Sequence, residues 1–93
     1  MIKSISCKHT AKLFNMDYAP KFPRDIQQRA YDKLRMLNNA VTLEDLRIPP
    51  SNQLEKLKGD RAGQYSIRIN KQWRICFKWQ DGDAYEVEIT DYH

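Results

Sequence analysis

The sequence predicts an α+β fold: a small antiparallel β-sheet packed against two N-terminal helices. Three observations carry this. Apolar residues recur at spacings of three and four through the first half of the chain. From Gln53 onward they alternate with polar ones, and the alternating stretches are joined by short turns instead of helices. Helices first and then a run of antiparallel strands puts the helices on one sheet face. Residues 1–93 are one domain's worth of chain, a size that buries roughly 60–65% of its unfolded surface around one core.

In chain order, residues 2–7 set Ile2, Ile5 and Cys7 among Lys3, Ser4 and Ser6, an imperfect alternation that predicts a short strand. Ala11, Leu13, Phe14 and Met16 predict a short helix over residues 8–16. Pro20 and Pro23 break it, because closely spaced prolines do not sit inside a helix. Pro23 opens the next helix in its first turn, where a missing N–H costs nothing. Ile26, Ala30, Leu34, Leu37 and Val41 form that helix's apolar stripe, and Asn38 and Asn39 mark its end. Thr42 caps a short turn over residues 43–46, and residues 47–52 form a loop that Pro49 and Pro50 keep extended. Residues 53–57, 65–69, 73–79 and 84–90 are the predicted strands. Residues 58–63, Asn70-Lys71-Gln72 and Asp81-Gly82-Asp83 are the turns between them.

Composition narrows the class without naming a function. Lys and Arg exceed Asp and Glu by 16 to 12, giving a net charge of +4 and a pI near 9.2. That surplus permits a polyanionic partner without requiring one. Cys7 and Cys76 are too few and too far apart for a zinc site or a disulfide framework, so no metal and no cofactor is expected. The N-terminus lacks the apolar run of a secretion signal, and no segment approaches the ~20 apolar residues of a membrane span. The expected location is the cytoplasm.

Strand register follows from the apolar sets. Tyr65, Ile67 and Ile69 share one face, and so do Trp73, Ile75, Phe77 and Trp79; a slip of one residue would turn a whole set into water. With Asn70-Lys71-Gln72 as a three-residue turn, Ile67 faces Ile75 and Arg68 sits opposite Arg74. With Asp81-Gly82-Asp83 as the next turn, Trp79 faces Tyr85, Phe77 faces Val87, Ile75 faces Ile89, Lys78 faces Glu86, Cys76 faces Glu88 and Arg74 faces Thr90. The last residues, Asp91, Tyr92 and His93, then emerge beside the strand end that carries Arg74. Arg74 and His93 both lie off the apolar face, so neither is expected to carry core packing.

Two opposed arginines repel by roughly 0.2–1 kcal/mol, and the deduced pairing sets no acid against them. Either they point into water, or one of them pairs with Asp60 or Asp91, or they form an anion site, since guanidinium groups grip phosphate in a bidentate way. Likewise the terminal Asp-Tyr-His is either a frayed tail or a proton-transfer group. Histidine is the side chain suited to proton transfer near neutral pH. Cleaving a phosphodiester needs anion stabilisation, an acid and a base, and no metal where the RNA 2′-hydroxyl is the nucleophile.

These residues give the chain a resemblance to the HigB/GraT-like branch of the RelE superfamily of bacterial toxin–antitoxin toxins. Its most specific pieces are Leu54-Glu55-Lys56-Leu57-Lys58-Gly59-Asp60-Arg61, Tyr65-Ser66-Ile67-Arg68-Ile69, Gln72-Trp73-Arg74-Ile75-Cys76-Phe77 and the terminal Asp91-Tyr92-His93. The resemblance covers essentially the whole chain. It implies a RelE-like microbial RNase fold and a ribosome-dependent, metal-independent mRNA endoribonuclease that inhibits translation. It also implies a helix-turn-helix antitoxin partner of the HigA/GraA kind, through which alone operator DNA would be reached, and no membrane partner.

Carried over by position, Arg74 would stabilise the phosphorane-like charge and Arg68 would hold the scissile phosphate or a neighbour. His93 and Asp91 would move protons, Tyr92 would position or stack on a base, and Lys58 would add positive charge at the site edge. The better-known members carry a histidine near the position of Glu55. Its role therefore passes to Glu55 or is lost, because the only histidines are His9 and His93. The alternative function is a binding toxin that blocks its target by occupancy.

Other features read as structural. His9 lies far from the site in sequence and has no partner motif, and Met1, Met16 and Met36 show no ligand pattern. Trp73 and Trp79 fit the apolar sheet face. Lys8, Lys12, Lys21, Arg24 and Lys33 are either merely solvated or a basic surface for ribosomal RNA. The turn holding Gly59 and Gly63 lacks the spacing of a phosphate loop.

Overall fold

The structure, a computed structural model, describes residues 1–91. Two helices, α1 (Lys8–Phe14) and α2 (Arg24–Asn39), precede a four-stranded antiparallel sheet in the order β1-β2-β3-β4. The strands are β1 (Glu55–Lys56), β2 (Tyr65–Arg68), β3 (Trp73–Gln80) and β4 (Asp83–Asp91). The apolar stripe of α2, Ile26, Ala30, Leu34 and Leu37, packs into one core with Leu13, Ile67, Ile69, Ile75, Phe77, Val87 and Ile89. Each fully buried Leu, Ile, Val or Phe side chain among them contributes roughly 1.5–3 kcal/mol of transfer free energy. Phe22, just before α2, closes one end of the core edge-on to Trp73, with ring centroids 5.5 Å apart.

Val41 does not belong to the stripe. It lies beyond the helix end at Asn39 and is 74% exposed. Thr42 does cap the following turn: its side chain and that of Asp45 form a reciprocal capping box at the start of a 3₁₀ turn, Leu43–Arg47. The strand expected over residues 53–57 is only two residues long, because the chain leaves a second 3₁₀ turn, Pro50–Asn52, through a left-handed Gln53 (φ +44°). Residues 2–7 are extended, as expected, but form single parallel bridges and no regular strand. Ile2 pairs with Ala84 and Ile5 with Val87, along the free edge of β4.

The first hairpin has the expected register: Ile67 faces Ile75 and Arg68 faces Arg74. The second departs from it near the tip. Trp73 to Cys76 pair with Asp91 to Glu88, so Arg74 faces Thr90 and Cys76 faces Glu88. Beyond a bulge, however, Lys78 pairs with Tyr85 and Trp79 with Ala84. Asp81 (φ +52°) and Gly82 (φ +83°) alone form the turn, and Gln80 pairs with Asp83. Positive φ at both central residues is the two-residue turn whose twist matches the strands, and Asp-Gly is its common sequence. The residue thus gained is returned at Glu86 (φ +52°), a bulge braced where Glu86 N–H donates to Ser4 Oγ at 2.9 Å. The odd spacing between buried Ala84 and buried Val87 marks it. Lys78 and Glu86 form an ion pair despite the shift.

Candidate active site

Residues alternate across β2 and β3, so the face turned away from the helices carries Ser66, Arg68, Arg74 and Cys76, with Glu88 and Thr90 beside them on β4. Arg74 is the centre of this face, and it is not solvated. It is only 7% exposed. Its Nε donates to Ser66 Oγ at 2.7 Å, and its Nη2 donates to the Gln53 carbonyl at 2.6 Å. Glu55 Oε2 stands 3.8 Å from Nη2. The expectation that Arg74 carries no packing is therefore corrected: the guanidinium is buried between the sheet and the chain segment over Gln53–Glu55. A buried charge is costly unless it is paired and hydrogen-bonded, and here a hydroxyl and a carbonyl accept from two of its nitrogens while a carboxylate stands nearby.

The local sequence explains this clamp. Gln53 leaves its 3₁₀ turn in the left-handed region, at a cost of roughly 1–2 kcal/mol for a side-chain-bearing residue, and its carbonyl reaches Arg74. β1 then pairs Glu55 with Ser66, which brings the carboxylate and the hydroxyl to the same guanidinium. Ser66, Gln53 and the Glu55 pairing are the interactions that reading the hairpins alone missed. The neighbouring acid came from the short edge strand, whose register no turn type specified.

Arg68 is half-buried directly across from Arg74. Asp91 ends β4 opposite Trp73, exposed, and its Oδ2 accepts from Gln72 Nε2 at 3.1 Å. Lys58 stands exposed just past β1. Tyr92 and His93 lie outside the described residues. A further arginine, Arg61, reaches the same face: its Nη2 lies 2.7 Å from Glu88 Oε1 and 3.5 Å from Thr90 Oγ1. Cys76 is wholly buried beneath this layer, and burial pushes its thiol above the ordinary value, so it is not a nucleophile.

An antiparallel sheet backed by two helices is the fold of the RelE-like toxins. The chain superposes on a chain of the YoeB–YefM toxin–antitoxin heterotetramer of Staphylococcus aureus with a TM-score of 0.61, covering 100% of this chain and 98% of that one at 17% identity. That likeness is one of fold. Sequence defines the family. Residues 3–93 match the family described as the RelE-like toxin of type II toxin–antitoxin system HigB. The chain is 36% identical over 93 residues, the full length of both, to Endoribonuclease HigB of Proteus vulgaris. It is 47% identical over 70 residues, 75% of this chain and 74% of the other, to Toxin HigB-1 of Vibrio cholerae serotype O1. The chain belongs to the HigB-like toxins of type II toxin–antitoxin systems.

Proposed function

We propose that this toxin is an endoribonuclease that cuts mRNA on the ribosome, without a metal ion, and thereby stops translation. The observation that carries the reading is the Arg74 clamp: a guanidinium fixed by Ser66 and Gln53, with Arg68 opposite it. A fixed cation aimed at developing charge needs no reorganisation during reaction, and losing one such donor commonly costs ~2.7–4 kcal/mol in the transition state. The name of the Proteus vulgaris relative supports the same activity.

In this reading a base removes the proton of the RNA 2′-hydroxyl, and the 2′-oxygen attacks the adjacent phosphorus. The bond from phosphorus to the 5′-oxygen breaks, and that oxygen takes a proton from an acid. The products are a 2′,3′-cyclic phosphate and a 5′-hydroxyl. Arg74 stabilises the charge on the phosphorane and Arg68 holds the phosphate. Asp91, His93 and Glu55 are the proton-transfer candidates, Tyr92 positions a base, and Lys58 adds charge at the margin. The 2′-hydroxyl supplies the nucleophile, so the step calls for no metal-activated water.

The ribosome supplies what a sparse acid–base set lacks. Holding a strand near attack geometry is worth up to roughly 7–11 kcal/mol in favourable cases. The partner that restrains the toxin is an antitoxin of the helix-turn-helix HigA/GraA kind, which alone would contact operator DNA. The test is to give purified toxin the same transcript free and on programmed ribosomes. Rapid cutting on ribosomes and slow cutting of free transcript is expected. Equal cutting counts against ribosome dependence, and growth arrest without any cutting favours blockade by occupancy.

A further inference from the structure

β1 pairs only with Tyr65 and Ser66, so among the described residues no strand pairs with that edge at Arg68 or at the turn that follows it. Between that edge and α2 lies a groove of about 750 Å³, lined by Arg29, Asp32, Lys33, Arg68 and Lys71 among others. Its charge is one-sided. None of the ion pairs among the described residues involves Arg29, Lys33, Arg68 or Lys71. Asp32, the acid on the wall, accepts a hydrogen bond from Gln28 at 2.9 Å.

Two of the cations are held in place. Lys33 Nζ donates to Oδ1 of the wholly buried Asn52, and Arg29 Nη1 reaches the Ile69 carbonyl at 3.4 Å. Burial, with Arg29 nearby, pulls Lys33 below the ordinary lysine value, and the opposing pull of Asp32 does not cancel it. The groove also adjoins the candidate active site through two elements. Arg68 lines the groove and sits opposite Arg74. Asn52, gripped by Lys33, is followed directly by Gln53, whose carbonyl holds Arg74.

We propose that this groove binds the phosphodiester backbone of the RNA strand flanking the cut, so that the strand passes from Arg74 over the β2 edge at Arg68 and along Arg29, Lys33 and Lys71. This rests on the ribonuclease reading of the Arg74 site. Continuity with that site selects an RNA strand over an acidic peptide as the occupant. Lys and Arg side chains on phosphate give affinity without sequence preference, so the groove lengthens the footprint and leaves the choice of bases to the cleavage site.

The test uses 2′-O-methyl oligoribonucleotides, which keep the phosphates and lack the nucleophile, in short (three-nucleotide) and long (nine-nucleotide) forms. Their binding to wild type and to the double variant Arg29→Gln, Lys71→Gln is followed by fluorescence anisotropy across a fourfold rise in salt. Neither substituted side chain belongs to the Arg74 clamp, and melting curves check that the variant is folded. Wild type should bind the long form more tightly, and the variant should lose that gain while binding the short form equally. Each single-strand phosphate that is no longer neutralised lowers the salt slope by about 0.7. Two such phosphates lower it by about 1.4, which makes the variant about sevenfold less sensitive to the fourfold rise. Unchanged long-form affinity and salt slope in a folded variant overturn the proposal, and so does equal loss for both lengths. A wild-type protein that cuts mRNA but shows no length dependence overturns the groove alone. One that neither cuts nor binds overturns the ribonuclease reading with it. Binding of a labelled poly-glutamate peptide that the double variant loses and that unlabelled RNA does not displace assigns the groove to an acidic protein instead.

Discussion

Replacing Ser66 with alanine separates what holds Arg74 from what Arg74 does. Ser66 is wholly buried, and its hydroxyl is the 2.7 Å acceptor of Arg74 Nε. Its removal leaves a charged donor without that acceptor in a site only 7% exposed. A hydrogen bond to a charged group is worth about 1.5–3 kcal/mol. The Gln53 carbonyl still holds Nη2 at 2.6 Å, so the lower half of that range applies. At about 4–8 °C per kcal/mol for a domain of this size, melting should fall by roughly 6–18 °C. The guanidinium then tilts about its remaining anchor. A displacement on the order of 1 Å costs about 100-fold in rate. The assay is cleavage of ribosome-bound mRNA well below the variant's melting temperature, with kcat and KM resolved. The expectation is a fall in kcat with KM little changed, and partial recovery in Ser66→Thr, which restores the oxygen. A folded Ser66→Ala that cuts at the wild-type rate would show that the clamp serves only the fold.

Three more outcomes follow from the same geometry. Arg74→Ala strands the Ser66 and Gln53 acceptors and should destabilise by about 1–3 kcal/mol as well as abolish cutting, whereas Arg74→Lys keeps the charge, loses the two-nitrogen grip, and should melt closer to wild type while remaining inactive; thermal melting and cleavage on the same preparations decide. The Asp45 carboxylate is held below its ordinary value by the backbone N–H groups of Thr42 and Val41, so its contribution is present above the unfolded carboxylate value and lost as pH falls through the lower folded one. Asp45→Asn should therefore melt earlier at neutral pH and show a flatter acid limb, and parallel acid limbs in the two proteins would contradict this. Phe77→Ala should cost roughly 3–5 kcal/mol in chemical denaturation, since Phe77 is wholly buried between Tyr65 and Trp79.

The sheet was legible in the sequence wherever side-chain parity is strict. Ile67, Ile75 and Ile89 could occupy one face only in the register observed, and that placed Arg68 opposite Arg74. Parity gave the wrong pairing at the tip, because Asp81 and Gly82 close the turn alone and a bulge at Glu86 restores the pattern further on. A local register error can hide in that way, since the buried residues on both sides of the bulge still face the core. Arg74 was recognised as a functional candidate, but its burial was not. Burial depends on Gln53 adopting a left-handed conformation and on a two-residue strand, neither of which leaves a periodic mark. Lys33 and Arg68 were each legible as RNA-contact candidates, but their grouping with Arg29 and Lys71 in one groove was not. Arg29 and Lys33 lie on the polar side of α2, where charges are usually solvated, and only the truncation of β1 brings Arg68 and Lys71 beside them.

The central claim is that the Arg74 site cleaves RNA by way of the strand's own 2′-oxygen. The direct measurement maps the cut made by wild-type toxin on a ribosome-bound mRNA, then repeats it on a message with a single 2′-deoxy nucleotide on the 5′ side of the mapped bond. The account predicts 2′,3′-cyclic phosphate and 5′-hydroxyl ends on the all-ribose message, and no cutting at the deoxy position. Unimpaired cutting at the deoxy position, or ends carrying a 5′-phosphate, would contradict it.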